Sequence, residues 1–133
     1  MSAPAARLGD RVTGLDRHIV LVPTPAGPTP TLLPFPFSGT LTTGCVTTVL
    51  IGASPAAVVG SKAVNLPPHL PPTPPGGTFL RPPDNSGTVS TGSATVLIGG
   101  KPAARSGDTV ITCSDPAPGP NAKIASAGTV LIG

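Results

Sequence analysis

The sequence predicts an all-β fold, and three observations support that prediction. Glycine (17) and proline (20) together exceed a quarter of the 133 residues. That density disfavours long helices, because proline lacks the N–H and glycine loses the most backbone entropy. Thr and Val dominate the stretches between them, and β-branched side chains suit a pleated surface. A short apolar block also recurs, as Val49-Leu50-Ile51-Gly52, Val96-Leu97-Ile98-Gly99 and Val130-Leu131-Ile132-Gly133. The length sets a single domain, residues 1–133, with a modest core. No Trp, no Tyr and only three Phe argue against a large helical core. Charge-driven disorder needs low hydropathy and high net charge. Here 10% of residues are charged, the net charge is +3, and Leu, Ile, Val and Phe make up a quarter of the chain.

The repeat organises the elements. Before the first apolar block runs Thr43-Gly44-Cys45-Val46, before the second Thr91-Gly92-Ser93-Ala94, and before the third Ala125-Ser126-Ala127-Gly128. After the first comes Ala53-Ser54-Pro55-Ala56-Ala57-Val58-Val59-Gly60-Ser61, and after the second Gly100-Lys101-Pro102-Ala103-Ala104-Arg105-Ser106-Gly107-Asp108. The third has no continuation in place. Its counterpart stands at the other end of the chain, as Ser2-Ala3-Pro4-Ala5-Ala6-Arg7-Leu8-Gly9-Asp10. The units are therefore about 38–61, 86–108, and 124–133 plus 1–10, the last split across the termini. A linear solenoid needs capping repeats and holds its ends apart. A split unit predicts closure, with residues 1–10 beside 124–133 and three short strands around one axis covering each other's edges. Between the units, 11–37 and 62–86 read as Pro-rich loops and 109–123 as a shorter loop. Their proline stiffens extended chain and lowers the entropy lost on ordering.

Composition also bounds function. All five acids are Asp, with no Glu, and the eight Lys and Arg form no run, so nucleic acid is not an expected partner. No apolar stretch approaches the ~20 residues of a spanning helix, and the N-terminus lacks the regions of a signal peptide. Synthesis in the cytoplasm is expected, with any exit by another route. No enzyme is expected, because there is no Gly-x-Ser-x-Gly elbow and no carboxylate pair.

Pro4-Ala5-Ala6-Arg7 and Pro102-Ala103-Ala104-Arg105, each followed by x-Gly-Asp (Gly9-Asp10 and Gly107-Asp108), closely resemble the repeat of the PAAR-repeat proteins. Pro55-Ala56-Ala57-Val58 is a degenerate copy, with Ser61 in place of the Asp. The resemblance implies a conical, three-sided β-prism that caps the trimeric spike of a contractile injection machine: type VI secretion, a phage tail or a phage-tail-like particle. It implies one tip monomer per spike trimer, docked by its wide base, with an apex tied by a metal, commonly zinc, and brief contact with the target membrane on firing. Internal triplication matches one chain to a threefold partner. An alternative role is a tip that docks effector cargo on its Pro-rich loops, Leu66–Pro75 for example.

The transition-metal ligand types are His18, His69, Cys45 and Cys113. His18 lies eight residues after Asp10, His69 eight after Ser61, and Cys113 five after Asp108, so each unit supplies one ligand type shortly after the same landmark. Threefold closure brings these three to one end of the axis. Zinc suits two imidazoles and a thiolate best, with iron second. The fourth ligand stays open between water, Asp115 and Cys45. Cys45 takes the place of Ser93 and reads as a small buried residue. The other reading of the cysteines, a Cys45–Cys113 disulfide, conflicts with a cytoplasmic start.

Overall fold

The computed structural model describes residues 2–70 and 77–133. Among them every regular element is a strand: β1 (Ala3–Pro4), β2 (Arg11–Val22), β3 (Thr29–Thr43), β4 (Val46–Ile51), β5 (Ser54–Ala56), β6 (Lys62–Asn65), β7 (Thr78–Phe79), β8 (Ser86–Val89), β9 (Leu97–Ile98), β10 (Lys101–Pro102), β11 (Thr109–Thr112), β12 (Gly119–Ala125) and β13 (Leu131–Ile132). Six of them close into a barrel-like sheet in the order β2-β3-β6-β8-β11-β12, with β12 returning to β2 and all pairs antiparallel. Closure leaves no open edge at this level. The fold is a compact all-β prism.

The registers repeat three times around the ring. Within the hairpins Arg11 faces Thr40, Lys62 faces Thr88 and Thr109 faces Lys123. Between hairpins Leu41 faces Ala63, Val89 faces Val110 and Ile124 faces Val12. Strand alternation sends these last six side chains inward, and all six are buried in one cluster with Phe37. Here the structure differs from the sequence reading. Residues 11–37 and 109–123, read as loops, supply β2, most of β3, β11 and much of β12. The Val-Leu-Ile-Gly blocks, expected as three short strands covering each other's edges, make two-stranded ladders outside the closed sheet. Proline density hid the longest hairpin of the chain.

The three tetrapeptides form the axis. The Ala6 N–H donates to the Ala104 carbonyl at 2.9 Å, Ala57 to Ala6 at 3.0 Å and Ala104 to Ala57 at 3.0 Å, a closed cycle. A second cycle runs from Leu8 to Pro55, Val59 to Pro102 and Ser106 to Pro4. The two alanines of each copy point opposite ways. Ala6, Ala57 and Ala104 pack into the barrel core, while Ala5, Ala56 and Ala103 pack against Ile51 and Ile132, with Val96 and Ile98 alongside. All six are at most 1% exposed, so three strands approach this closely only because the side chains are single methyls. Beyond each copy, Gly9, Gly60 and Gly107 hold φ of +91°, +97° and +90°, which only glycine takes cheaply. That turn lets Asp10 accept from the Arg7 N–H at 2.9 Å and Asp108 from the Arg105 N–H at 2.6 Å. In the degenerate copy the Ser61 hydroxyl accepts from Val58 N–H at 3.0 Å, so serine keeps the turn. Unit 38–61 lacks Arg and Asp together, which leaves no buried charge without its partner.

The apolar ladders share one register: Ile51 faces Ser54, Ile98 faces Lys101, and Ile132 faces Ala3 across the termini. In the two continuous hairpins the turns are Gly52-Ala53 (φ +56°, +69°) and Gly99-Gly100 (φ +59°, +79°), the left-handed pairs that two-residue hairpins require. Joining Gly133 directly to Ser2, with Met1 removed, gives the same turn length. A permuted chain so joined and opened at residues 25–27, in the turn between β2 and β3, is expected to fold. Its circular dichroism should match the parent, with the melting point within ~10 °C, since a left-handed serine costs ~1 kcal/mol. Failure of that chain to fold where the parent folds refutes closure through the termini.

Beyond the barrel, β2 and β3 continue as a projecting hairpin with β7 on the far side of β2. Residues 29–37 of β3 pair only with β2 among the described residues. Ser38 turns its N–H and carbonyl away from β2, toward Asn65 and Leu66, so by alternation residues 30, 32, 34 and 36 do the same. Pro30, Pro34 and Pro36 therefore remove three of the four N–H groups that would face out of this open edge, which blunts it against strand addition.

Candidate metal centre

The projecting hairpin positions the first part of the site. On β2, Asp16 and His18 are two residues apart, so they share the inward face, and both are buried, Asp16 completely. His69 comes from the segment after β6, and Cys113 directly follows β11. The structure thus brings together His18, His69 and Cys113, one from each unit, and adds Asp16. The four donor atoms lie within 4.8 Å of one another. Cys113 Sγ is 3.8 Å from His18 Nε2 and 3.4 Å from Asp16 Oδ2, and His69 Nε2 is 3.0 Å from the same carboxylate oxygen. The other oxygen of Asp16 accepts from the hydroxyls of Thr112 and Ser114. Phe35, Phe37 and Phe79 wall the imidazoles, at phenyl-to-imidazole centroid distances of 5.5–6.5 Å.

Asn65 accepts from the Ser38 N–H through Oδ1 at 2.8 Å, and its amide nitrogen donates to the carbonyl of Pro67 at 3.2 Å and to Asn85 Oδ1 at 3.1 Å. His69 Nδ1 lies 3.3 Å from that nitrogen, while Nε2 faces the cluster and Asp16. His18 Nδ1 has no hydrogen-bond partner although it is buried. The nearest carboxylate is Asp115, with Oδ2 at 3.7 Å. Asp115 itself is held by the Ile19 N–H at 2.9 Å and Arg81 at 2.8 Å. A cleft of about 190 Å³ lined by His18, Arg81, Asp84, Cys113 and Asp115 opens beside the group. The two cysteines are free. Cys45 packs against the barrel core beside Leu8, Thr43 and Gly44, apart from the cluster.

Burial, and next the neighbouring His69, lowers the pKa of His18. Burial, and next the Asp16 charge, pushes the Cys113 thiol up to about 12. Without a metal the two groups are therefore neutral near pH 7. Two imidazoles with a thiolate and a carboxylate balance a dication, and this N,N,S,O set is chemistry that transition metals take. The group fits a metal.

These shifts set the pH response of chelator-treated protein. His18 binds a proton more readily when unfolded, at the ordinary 6.5, so its share of stability is lost as pH falls below that value. Cys113 is the reverse, with a folded value above the ordinary 9.0, so its share is lost as pH rises from 9 toward 12. Melting temperature against pH should plateau between about 6.5 and 9 and fall on both sides. A flat curve from pH 5 to 10 contradicts this.

The sequence reading missed Asp16. The signal was its spacing of two from His18, which counts only if residues 11–22 form a strand.

Comparison with known families now bears on these residues. Residues 81–133, from the end of β7's connection through the third apolar block, match the family model of the PAAR motif. This part of the chain carries the PAAR motif. No curated protein matches the chain. PAAR-repeat proteins form a structural family of spike tips in contractile injection systems, associated with a spike. Cys113 lies inside the matched span, while Asp16, His18 and His69 lie outside it. No described helix is long and apolar enough to cross a membrane.

Proposed function

We propose that this chain is the metal-stapled pointed tip that caps a trimeric spike, one monomer per trimer, and helps pierce the target envelope on firing. The observation that carries this reading is a triangle of leucines. Leu50, Leu97 and Leu131 hold the same place in the three apolar ladders and are 60%, 64% and 62% exposed. They lie at the end of the prism away from the His/Cys group, beyond the axial alanines and Ile51 and Ile132. Large apolar side chains exposed in threes fit an apolar, threefold-symmetric partner face. At the other end Asp16, His18, His69 and Cys113 would hold zinc, with iron as the second choice. The chain supplies two neutral imidazoles and two anionic donors, and the phenylalanines exclude water. The ion supplies a single tie between β2, the segment after β6 and the end of β11, where too few residues remain for a core. The domain is taken as residues 1–133, synthesised in the cytoplasm and delivered as part of the injection particle, with a structural role and no catalysis.

Native mass spectrometry of the tip mixed with the spike of its own system tests this. One tip mass added to each spike trimer is expected. Binding of three copies, or none at micromolar concentration, overturns it.

Cargo docking is a second reading, favoured by Leu66 and Leu70 at 62% and 73% exposure. Residues 71–75 of the Leu66–Pro75 segment lie outside the described residues. Extra proteins that co-purify, and are lost when this segment is shortened, would identify it.

A further inference from the structure

We propose that Asp115, clamped from outside by Arg81, is the residue that positions His18 for metal ligation. The inference rests on the metal reading above. His18 faces the cluster with Nε2, which is 3.8 Å from Cys113 Sγ, so Nε2 is the nitrogen placed to ligate. An imidazole that ligates through Nε2 carries its proton on Nδ1, and that N–H needs an acceptor. Nδ1 is the one buried side-chain nitrogen or oxygen without a partner among the described residues. The carboxylate oxygen beside it, Asp115 Oδ2, is 3.7 Å away, one small ring rotation from a hydrogen bond.

Asp115 is fixed in place by three groups from two segments, β2 and the stretch after β7. Its own N–H donates to the Arg17 carbonyl at 2.7 Å, its Oδ2 accepts from the Ile19 N–H at 2.9 Å, and its Oδ1 accepts from Arg81 Nη2 at 2.8 Å. Arg81 also donates to the Pro116 carbonyl at 2.7 Å. Two of the contacts flank His18 on β2, so the carboxylate is set against that residue's own backbone. Arg81 is 57% exposed while Asp115 is 6% exposed. The pair therefore forms the outer wall of the cleft that leads to His18 and Cys113. His69 has no such acceptor. Its Nδ1 lies 3.3 Å from the amide nitrogen of Asn65, so of the two Nδ1 atoms it is that of His18 that has a carboxylate beside it.

The test compares zinc affinity, by chelator competition, in the wild type, Asp115→Asn, Asp115→Glu and Arg81→Met. Asp115→Asn is expected to weaken zinc ~10–100-fold, Arg81→Met by less, and Asp115→Glu is expected to recover most of the loss. In zinc-loaded wild type, proton–nitrogen spectra of the imidazoles should show a His18 Nδ1–H that exchanges slowly and lies far downfield. In Asp115→Asn that resonance should move upfield or be lost to exchange. Unchanged zinc affinity in Asp115→Asn overturns the proposal, and so does weakened affinity with the Nδ1–H signal unmoved. Should Asp115→Asn fail to fold, Arg81→Met carries the test on the same two readouts. A wild type that takes up no zinc or iron overturns the metal reading itself, a result distinct from either of these.

Discussion

Replacing Cys113 by serine is expected to drop bound metal from about one equivalent to below a tenth and to lower the melting temperature by ~10–20 °C. Serine keeps the shape of the side chain but offers no thiolate, so the donor set loses one of its two anions. A metal at a free concentration about a thousandfold above its Kd adds ~4 kcal/mol to stability. For a chain of this length that is a shift of the stated size. His18→Ala, His69→Ala and Asp16→Asn should follow the same course, with the circular dichroism of the barrel retained, because the axial rings and the six-stranded closure lie elsewhere. Proteolysis should then cut first in the projecting hairpin and near residue 70. Elemental analysis of wild-type protein never exposed to chelator is the direct check. Less than a tenth of an equivalent of zinc or iron would end the claim.

The leucine triangle gives the second large effect. Leu50→Asp, Leu97→Asp and Leu131→Asp should each weaken spike binding ~10–100-fold, and the triple variant should abolish it. Burying one leucine is worth ~2 kcal/mol, and an aspartate in its place brings a desolvation cost. The three single losses should agree within about threefold, since the positions are equivalent in register and in exposure. Raising salt to 0.5 M should change wild-type affinity little, because the contact is apolar. Unequal losses, with one position inert, or dissociation by salt alone, would refute threefold apolar docking.

Much of the molecule was legible before any coordinates. Three copies of one block, the third continued at the opposite terminus, specified closure, and β1 does pair with β13. The spacing of His18, His69 and Cys113 from Asp10, Ser61 and Asp108 placed one metal-ligand type per unit, and the structure brings the three together. Closure and this convergence could be read because they rest on short-range repetition, and a repeated local pattern folds the same way each time.

The barrel wall and Asp16 were decided only in three dimensions. Pro30, Pro34 and Pro36 made 29–37 look like a loop, since proline is excluded from sheet interiors. Their missing N–H groups turn out to face an open edge, where no ladder needs them, and that geometry depends on which neighbour lies on which side. Asp16 joins the cluster for the same reason, a place the sequence reading did not give it. A carboxylate can approach the cluster from many sequence positions, and the inward alternation of β2 puts Asp16 within it, while Arg81 holds Asp115 beside His18. Local chemistry thus determined the repeat, the closure and three of the four clustered side chains. Strand pairing between distant segments determined the wall, the fourth side chain and its support, because a strand's inside and outside exist only once its partners are in place.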